Sequence, residues 1–473
     1  MQFSETLLLI FLVINLVRSI IEKKPNRYIA IIGLVLFIFH AVLGEFRWQM
    51  LFAYVVFAFT ISAQFFQFKM AKWLRVLGFV FGTILIILST VLTYVLPVFS
   101  VAKPTGAYSV ASRYIYLKDE TREEDITVIS NDKRELMIKV WYPSSAKNDQ
   151  PEKYLESVER EGFALKYGLP SNAFAYLKGV DTNTFPNLTP AKGIFPVLIF
   201  SPGYYTPASG YYTILEELVS HGFIIFNINH TYETMGTEFP DGRKVFFDNE
   251  YSTTTAWSDE MGKAVEQYGN AQKKTEKRLA TKTMVDVYDG SVKVKRWAAD
   301  IQSLLNNLEM WNQEQTFFLT EQLDLNRLGA FGHSQGGAAA IEASLFDERI
   351  AAAVNLDGAQ WGSLIDTLLQ KPSALISSEM ITTQLDVNQY IFNNSGQQPF
   401  YNIILQNAGH SSFSDIPQII RIPQLNEAGT ISPALANQTI HEFLLAFFQK
   451  HLLAKEVDLE TIISNNPNLK RRE

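Results

Sequence analysis

The residue types best suited to covalent chemistry in this 473-residue chain stand in the short stretch 332-GHSQG-336, where Ser334 lies between two glycines. A serine hydroxyl is a weak nucleophile at neutral pH, so it needs an imidazole to accept its proton. That imidazole in turn needs a carboxylate to fix its tautomer and to stabilise its positive charge. Ser334 therefore predicts acyl-transfer chemistry only if a suitable acid and histidine occur elsewhere in the chain.

His410 is the best candidate for the base. It follows an apolar run, 400-FYNIIL-405, in a loop of small residues that could hold an imidazole over the edge of a sheet. His441 and His451 fall in a helical pattern near the end of the chain and are expected to be surface or packing residues. His333 should point away from the site, and His230 ends a predicted strand, where a structural role is expected.

Asp357 is the best candidate for the acid, because it ends the buried strand pattern 350-IAAAVNL-356, and α/β folds gather functional groups at the carboxyl ends of strands. The order serine, acid, histidine is also the one used when the nucleophile stands in a G-x-S-x-G elbow. Three rival acids remain open: Asp347, Asp415 and Glu233. Asp347 is expected in a surface turn, and Asp415 is expected to cap the segment after the histidine.

A tetrahedral intermediate also needs two backbone N–H donors for its oxyanion. The residue after the nucleophile, Gln335, supplies one candidate. The loop 201-SPGYYTP-207 supplies the other from Tyr204, because Gly203 allows the backbone to turn inward. The chain has no cysteine and no H-E-x-x-H motif, so we expect no disulfide, no thiolate metal site, no metal and no cofactor.

The elements around these residues alternate between strand and helix patterns, which predicts an α/β-hydrolase fold: a mostly parallel sheet flanked by helices, with a nucleophile elbow. Residues 110–117 and 135–142 predict an antiparallel opening pair. Residues 197–201 and 223–229 predict strands joined by a helix near 210–220. Further strands are expected at 350–356, 373–378 and 400–405, with helices at 296–311 and 438–452. Residues 239–294 lack a sustained period and predict a partly helical insertion, either a solvated excursion or a lid.

Residues 1–102 differ from the rest, because four long apolar segments follow one another there. They run roughly over 3–21, 28–43, 48–66 and 77–101, and they predict a four-helix transmembrane domain before a catalytic domain at 103–473. The basic residues of the first and third hinges (Lys23, Lys24, Arg27; Lys69, Lys72, Arg75) outnumber Arg47 in the second. The positive-inside rule then places both termini of the bundle, and the catalytic domain, on the extracytoplasmic side of the cell membrane.

Charge divides the chain in the same way. Residues 1–102 carry a net charge of +5 and the remainder a net charge of −12. A soluble part this acidic makes nucleic acid an unsuitable partner. The expected partners are an ester or phospholipid substrate and the lipid bilayer, and the sequence identifies no protein partner.

Several stretches together resemble the plasma-type (isoform II) platelet-activating-factor acetylhydrolase family of α/β hydrolases. They are 104-PTGAYSV-110, 134-RELMIKVWYP-143, 196-PVLIFSPGY-204, 220-SHGFIIFNINH-230, 325-LNRLGAFGHSQGGAAA-340, 353-AVNLDG-358 and 409-GHSSFSD-415. The resemblance covers residues 103–452 and implies Ser334 as nucleophile, Asp357 as acid and His410 as base. The chain departs from the mammalian members at Pro202, where they have histidine, and at Gln335, where they have an aromatic residue; both positions shape the acyl pocket.

The resemblance implies a serine esterase that cleaves short or oxidised acyl esters, including the sn-2 acyl group of platelet-activating-factor-like phospholipids. The four apolar segments, which lie outside the resemblance, predict that this esterase is anchored in the membrane. The same catalytic residues would also suit a general carboxylesterase, a polyester hydrolase or a dienelactone-type hydrolase. A third hypothesis is a non-catalytic binding module coupled to the membrane helices.

Overall fold

The computed structural model describes residues 2–21, 25–44, 46–66, 71–146, 150–254, 258–380, 386–392 and 398–472. Lys23, Lys24 and Lys69, three of the basic residues used to predict the orientation, lie outside these ranges. The chain begins with the helices α1 (Phe3–Ile21), α2 (Arg27–Leu43), α3 (Leu51–Phe65) and α4 (Lys72–Val95). A mixed α/β domain follows.

Strands of that domain are β1 (Ser109–Glu123), β2 (Lys133–Ser144), β3 (Thr184–Pro186), β4 (Phe195–Ser201), β5 (Ile224–Asn229), β6 (Gly236–Glu238), β7 (Lys244–Phe246), β8 (Leu323–His333), β9 (Ile350–Leu356), β10 (Ser373–Ser378), β11 (Phe400–Leu405) and β12 (Leu469–Arg471). The helices are α5 (Ser157–Lys166), α6 (Tyr212–Ser220), α7 (Asn249–Thr254), α8 (Asp259–Asn270), α9 (Lys274–Val287), α10 (Asp289–Gln313), α11 (Gln335–Phe346), α12 (Asn388–Ile391), α13 (Ile416–Ile419), α14 (Pro423–Asn426), α15 (Pro433–Leu453) and α16 (Leu459–Asn465).

Ten of these strands form one sheet in the order β12-β11-β10-β9-β8-β4-β5-β2-β1-β3. The six neighbours from β11 to β5 pair in parallel, whereas β2 pairs with both β5 and β1 in antiparallel fashion. Apolar residues of α6 and α15 cover one face, and those of α10 and α11 cover the other. The predicted α/β-hydrolase fold and its antiparallel opening pair are confirmed.

The closing helix expected at 438–452 is longer, beginning at Pro433, and it does not end the fold. After α15 the chain forms α16 and then β12, which pairs antiparallel with the edge strand β11. Leu469–Arg471 is a short segment with two basic residues, so its own propensity does not predict a strand. Pairing with an exposed strand edge provides the stabilisation that the local sequence lacks.

The insertion expected at 239–294 is largely helical: it contains α7, α8, α9 and the first residues of α10. Met261 and Ala264 of α8 and Met284 of α9 pack with residues of α11, β9 and β10 in a separate apolar cluster. These contacts place α8 and α9 against the same side of the sheet as α11. The domain limits at 102 and 103 remain a prediction from the sequence.

The fourth apolar segment was expected to be helical over 77–101, and this expectation is wrong at both ends. The helix α4 spans Lys72–Val95 and stops two residues before Pro97. Proline disfavours the helical conformation in the residue before it, so Leu96 leaves the helix. The chain then runs extended, and the N–H of Val101 donates to the carbonyl oxygen of Asp181.

Three of the N-terminal helical stretches are long and apolar enough to cross a membrane by length and composition: Phe3–Ile21, Trp48–Phe65 and Lys72–Val95. The helix α2 has 17 residues and is shorter. At the end of the bundle nearest the α/β domain, Arg47 makes a two-pronged ion pair with Glu5, with N–O distances of 2.5 and 2.7 Å. Its guanidinium also donates to the carbonyl oxygen of Leu96 at 2.7 Å, which ties three parts of the bundle together.

Two contacts join this end of the bundle to segments of the α/β domain. The indole N–H of Trp48 donates to the carbonyl oxygen of Ala173 at 2.8 Å, just beyond α5. The backbone N–H of Arg421, which follows α13, donates to the carbonyl oxygen of Val95 at 2.9 Å. Both segments also run toward the predicted site, since α5 contacts the loop of Tyr205 and α13 follows the loop of His410.

Candidate active site

Ser334 stands at the sharp turn between β8 and α11. Its backbone has φ 56° and ψ −124°, a conformation that L-residues rarely adopt and that is strained for a serine. The turn is tight because β8 and α11 pass close to the end of β4. A Cβ at Gly332 or at Gly336 would overlap the carbonyl oxygen of Ser201, so both positions need glycine. This is the strand–turn–helix geometry of a nucleophile elbow.

The structure brings together the side chains of Ser334, His410 and Asp357. The Nε2 atom of His410 lies 2.9 Å from Oγ of Ser334, and its Nδ1 atom lies 2.8 Å from Oδ2 of Asp357. Asp357 is buried and also has a positive φ of 57°, at the end of β9. Its second oxygen, Oδ1, accepts the N–H of Ser378 at 2.5 Å. The hydrogen-bond chain thus runs from the carboxylate through the imidazole to the hydroxyl.

The electrostatics of His410 suit a proton acceptor. Burial alone would lower the pKa of this imidazole, but the hydrogen bond and negative charge of Asp357 outweigh that effect, so the pKa lies above its usual 6.5. Glu427 raises the pKa further, and Lys166 opposes it. About a third of the side chain, 32%, is exposed, so reagents in solution can reach the serine–histidine pair.

The chain contains a second serine–histidine–aspartate set, which differs from the first because it is completely buried. Oγ of Ser201 is 2.8 Å from Nε2 of His230, whose Nδ1 is 2.7 Å from Oδ2 of Asp300. All three residues are completely buried, and the imidazole stacks on Trp297 with ring centroids 3.8 Å apart. No substrate can reach Ser201 there, and the set holds the end of β4 against β5 and α10. His230 thus has the structural placement expected for it.

The three rival acids all lie in other networks. Glu233 is buried and pairs with Arg296 at 2.7 Å, and it also accepts the indole N–H of Trp297. Asp347 pairs with Arg349 two residues later. Asp415 was expected to cap the segment after the histidine, but its carboxylate instead accepts the backbone N–H groups that begin α6.

The other histidines are also distant from the nucleophile or turned away from it. His441 and His451 lie in α15, and the ring of His451 packs on Phe447. His333, directly before the nucleophile, is buried, and its Nε2 atom is 2.9 Å from the carbonyl oxygen of His410. Among the described residues, no group of three or more His, Asp or Glu side chains could hold a metal ion.

The expected oxyanion turn follows β4. The N–H of Gly203 donates to the hydroxyl oxygen of Tyr211 at 2.8 Å, and the N–H of Tyr205 donates to the carbonyl oxygen of Glu233 at 2.9 Å. Of these three consecutive N–H groups, therefore, that of Tyr204 is the one without an acceptor in the described part of the chain. The N–H of Gln335, the other expected donor, stands at the first position of α11, where helix N–H groups lack partners within the helix.

Residues of the insertion contact both expected oxyanion residues and the neighbouring Tyr205. The ring of Tyr205 stacks on Phe247 with centroids 3.6 Å apart, and Tyr204 meets the same ring edge-on at 5.1 Å. The ammonium of Lys293 lies 4.9 Å from the ring centre of Tyr204. The side-chain amide of Gln335 reaches the carbonyl oxygen of Gly290 at 3.4 Å.

Sequence reasoning did not identify Phe247 or Lys293 as parts of the site. Lys166 of α5, which donates to the carbonyl oxygen of Tyr205 at 3.0 Å, was also missed. These residues come from segments without a motif, and their contacts depend on how the chain folds back onto the sheet. The aromatic pair 204-YY-205 beside a glycine was a local signal, since two adjacent rings in a turn need a partner surface.

Comparisons with known proteins identify relatives of this chain. A family model described as platelet-activating factor acetylhydrolase, isoform II, matches residues 100–466. A probable 1-alkyl-2-acetylglycerophosphocholine esterase of Arthroderma benhamiae is 24% identical over 292 residues, which are 56% of this chain and 62% of the fungal protein. The platelet-activating factor acetylhydrolase of Gallus gallus is 24% identical over 273 residues, covering 55% of this chain and 63% of the chicken protein.

A ferulic acid esterase from Streptomyces cinnamoneus has a similar fold. Its TM-score is 0.62 at 24% identity, and the match covers 80% of this chain and 100% of the esterase. At that sequence identity the structural similarity supports the fold alone. The chain spans about three fifths of the length of the curated relatives. Because the family match covers most of the chain, the protein belongs to the isoform II family of platelet-activating factor acetylhydrolases.

Proposed function

We propose that this protein is a membrane-anchored serine ester hydrolase that cleaves short or oxidised acyl esters, including the sn-2 acyl group of platelet-activating-factor-like phospholipids. The observation that carries the proposal is the hydrogen-bond chain Ser334–His410–Asp357 at a strained and solvent-accessible turn. The buried second set at Ser201 has the same residue types but no access. Geometry and exposure together therefore favour Ser334 as the nucleophile.

The first half-reaction is acylation. Oγ of Ser334 attacks the ester carbonyl carbon while its proton passes to Nε2 of His410, 2.9 Å away. Asp357 stabilises the imidazolium that forms, and the N–H groups of Tyr204 and Gln335 bind the oxyanion. When the intermediate collapses, the C–O bond to the leaving alcohol breaks, and Nε2 returns the proton to that alcohol. The product is an ester of the acyl group with Ser334.

The second half-reaction is hydrolysis of this acyl enzyme. Water attacks the same carbonyl carbon and gives its proton to Nε2 of His410. The bond to Oγ then breaks, Oγ takes the proton back, and the carboxylic acid leaves. His410 must begin each half-reaction neutral, because a protonated Nε2 cannot accept a hydrogen.

The relatives and the surroundings of the site support the proposed substrate class. Two curated relatives are named for platelet-activating factor or for 1-alkyl-2-acetylglycerophosphocholine. Leu165, Tyr167 and Leu169 are exposed apolar residues next to the segment that Trp48 binds, and Leu425 is exposed beside α13. Membrane helices would hold these side chains at the level of the lipid headgroups, where a phospholipid could enter from the bilayer.

Labelling of the full-length protein with a fluorophosphonate probe tests the catalytic proposal. We expect labelling of the wild type, loss of labelling in Ser334→Ala, and retained labelling in Ser201→Ala, which removes the buried rival. An intact, folded protein that resists the probe would instead support the non-catalytic binding module.

Hydrolysis rates over a series of acyl lengths and headgroups then test the substrate. Preference for a short sn-2 acyl group on a phosphocholine backbone supports the acetylhydrolase proposal. Equal rates on simple esters would favour the alternative of a general carboxylesterase, a polyester hydrolase or a dienelactone-type hydrolase.

The cell-membrane topology is part of the proposal, with four crossings and the catalytic domain outside the cytoplasm. Because the chain has no cysteine, single-cysteine variants can be labelled without background. Lys103→Cys, just after the bundle, should react with a membrane-impermeant maleimide in intact cells. Lys72→Cys, at the start of α4, should react only after permeabilisation. The reverse pattern would refute the orientation.

A further inference from the structure

His333, the residue before the nucleophile, has a hydrogen-bond partner at each ring nitrogen although it is only 2% exposed. Nε2 lies 2.9 Å from the carbonyl oxygen of His410, and Nδ1 lies 3.0 Å from the hydroxyl oxygen of Tyr211. A carbonyl oxygen only accepts, so Nε2 must carry the hydrogen. In a neutral ring Nδ1 is then the acceptor, and the hydroxyl of Tyr211 must donate to it.

The neutral state follows from the surroundings of the ring. Burial holds the pKa of His333 well below its usual 6.5, and the charge that His410 takes up would lower this pKa further. Protonation would also place a hydrogen on Nδ1 facing Tyr211, which would break the donor order. His333 therefore keeps one tautomer, with its hydrogen on Nε2.

Tyr211 extends the chain to the oxyanion turn. Since its hydrogen is directed at His333, its oxygen accepts the N–H of Gly203 at 2.8 Å. The hydroxyl of Thr206 donates to the carbonyl oxygen of the same glycine at 2.7 Å, so both polar groups of Gly203 are held. A Cβ on Gly203 would lie only 3.1 Å from Nδ1 of His333 and 3.2 Å from the hydroxyl oxygen of Tyr211. The turn is thus packed directly against this pair.

The hydrogen bonds form one directional chain, from the N–H of Gly203 to Tyr211, from Tyr211 to Nδ1 of His333, and from Nε2 to the backbone of His410. Its two ends lie in loops that follow different strands, β4 and β11. One end lies next to Tyr204, the proposed oxyanion donor, and the other is the backbone of the proposed base. The chain passes behind Ser334, which is joined to His333 by a peptide bond.

We infer that His333 is a positioning residue, which fixes the oxyanion turn and the loop of the base relative to each other through its two ring nitrogens. This inference rests on the proposed function, because it assigns consequences for ester hydrolysis. It differs from simple space filling in a testable way. A space-filling ring could be replaced by another ring, whereas a positioning ring needs both nitrogens and the hydroxyl of Tyr211.

Tyr211→Phe is the sharpest variant, since it removes one oxygen atom that does not touch the substrate and leaves the N–H of Gly203 and Nδ1 of His333 unpartnered. Tyr212→Phe is the matched control. Tyr212 is equally buried, and its hydroxyl is bound to Lys139 at 3.0 Å, away from the site. Both variants should lose stability to a similar extent, so a difference in activity between them isolates the positioning role.

The experiment uses full-length protein in detergent micelles. It measures kcat and KM for p-nitrophenyl acetate, the melting temperature, and the inhibition constant of a trifluoromethyl ketone, which forms a tetrahedral adduct with a catalytic serine. We expect Tyr211→Phe and His333→Phe to lower kcat about 10- to 100-fold. This decrease is smaller than the one expected when an oxyanion donor itself is removed. In these two variants KM should change less than about threefold, and the affinity for the ketone should weaken by the same factor as kcat. Tyr212→Phe should keep the kcat and the ketone affinity of the wild type.

The inference is overturned if Tyr211→Phe and His333→Phe melt like Tyr212→Phe but keep kcat and ketone affinity within about threefold of the wild type. Retained esterase activity in Ser334→Ala would instead refute the proposed function itself, which makes the two failures distinguishable. If the variants do not fold, histidine nitrogen NMR of the wild type still decides. A neutral ring with its hydrogen on Nε2 throughout pH 5–8 is expected for His333, and a cationic ring or a hydrogen on Nδ1 would refute the inference.

Discussion

Replacing Asp357 with asparagine should damage catalysis by forcing His410 into the wrong tautomer, and the structure shows why. In the wild type, Oδ1 accepts the N–H of Ser378 and Oδ2 accepts the Nδ1 hydrogen of His410. In Asp357→Asn the amide oxygen must still face the N–H of Ser378. The amide NH2 then faces Nδ1, so the imidazole hydrogen moves to Nε2, where it points at Ser334 and prevents proton acceptance.

The size of the activity loss in Asp357→Asn follows from the free energy needed to rotate the asparagine amide so that its oxygen faces Nδ1 of His410. That rotation would restore the correct tautomer but would leave two buried donors facing each other, at about 1–3 kcal/mol apiece. A total of about 2–6 kcal/mol corresponds to a loss of the productive arrangement by about 30-fold to about 3 × 10⁴-fold. An equivalent substitution in a serine protease lowers kcat by about 10⁴, at the upper end of this range.

The assay is kcat/KM for p-nitrophenyl acetate at pH 7, with full-length protein in micelles. Asp357→Ala is the informative comparison, because it removes the acceptor without forcing the tautomer. Although alanine is the larger truncation, Asp357→Ala should be more active than Asp357→Asn. Asp347→Asn, which alters a carboxylate paired with Arg349, should stay within about twofold of the wild type.

Two results would refute this reasoning. A loss smaller than threefold in Asp357→Asn would show that Asp357 is not the acid partner of His410. A ranking in which Asp357→Asn is clearly more active than Asp357→Ala would show that the N–H of Ser378 does not fix the amide.

Three further predictions concern pH and stability. The acidic limb of kcat/KM should have a pKa above 6.5, because His410 must be neutral to act and its pKa is raised; a limb below 6 would contradict this. Gly336→Ala should lower stability by about 3 kcal/mol or more, measured by thermal unfolding, because its methyl group would overlap the carbonyl oxygen of Ser201. Arg134→Met should cost about 3–5 kcal/mol in the same measurement by leaving buried carboxylates unpaired, whereas Arg243→Met, at an exposed ion pair, should cost less than about 1 kcal/mol.

The sequence was sufficient for the elbow and the central strands because their signals are local. The run before Ser334 is apolar, the run after it has small residues, and the strands β9, β10 and β11 match the predicted ranges to the residue. Each of these patterns lies within about ten residues. A parallel strand buried on both faces is a short, nearly continuous apolar segment, which is easy to recognise in a polar context.

Features that depend on distant contacts could not be predicted in this way. The set Ser201, His230 and Asp300 comes from three elements up to 99 positions apart, and none of the three stretches has a motif that indicates the others. The end of α4 was misplaced because the apolar run continues to Val101, which hides the helix stop at Pro97. For the Ser201 set and for the segment after α4, the apolar composition of the sequence indicates that the residues are buried. It does not indicate which other part of the chain covers them.

The selectivity of the site has to come from its walls, because a serine–histidine–aspartate chain acts on any ester carbonyl that it can reach. We expect the turn that carries Tyr204 and Tyr205 to form part of those walls. The insertion holds Tyr205 through Phe247, and α5 holds its carbonyl oxygen through Lys166. The proposed oxyanion turn therefore receives contacts from two parts of the chain outside the central sheet, the insertion and α5. The segment after α5 is bound in turn by Trp48 of the N-terminal helices. Differences in ester preference within this family are therefore expected to follow these two segments rather than Ser334, His410 and Asp357.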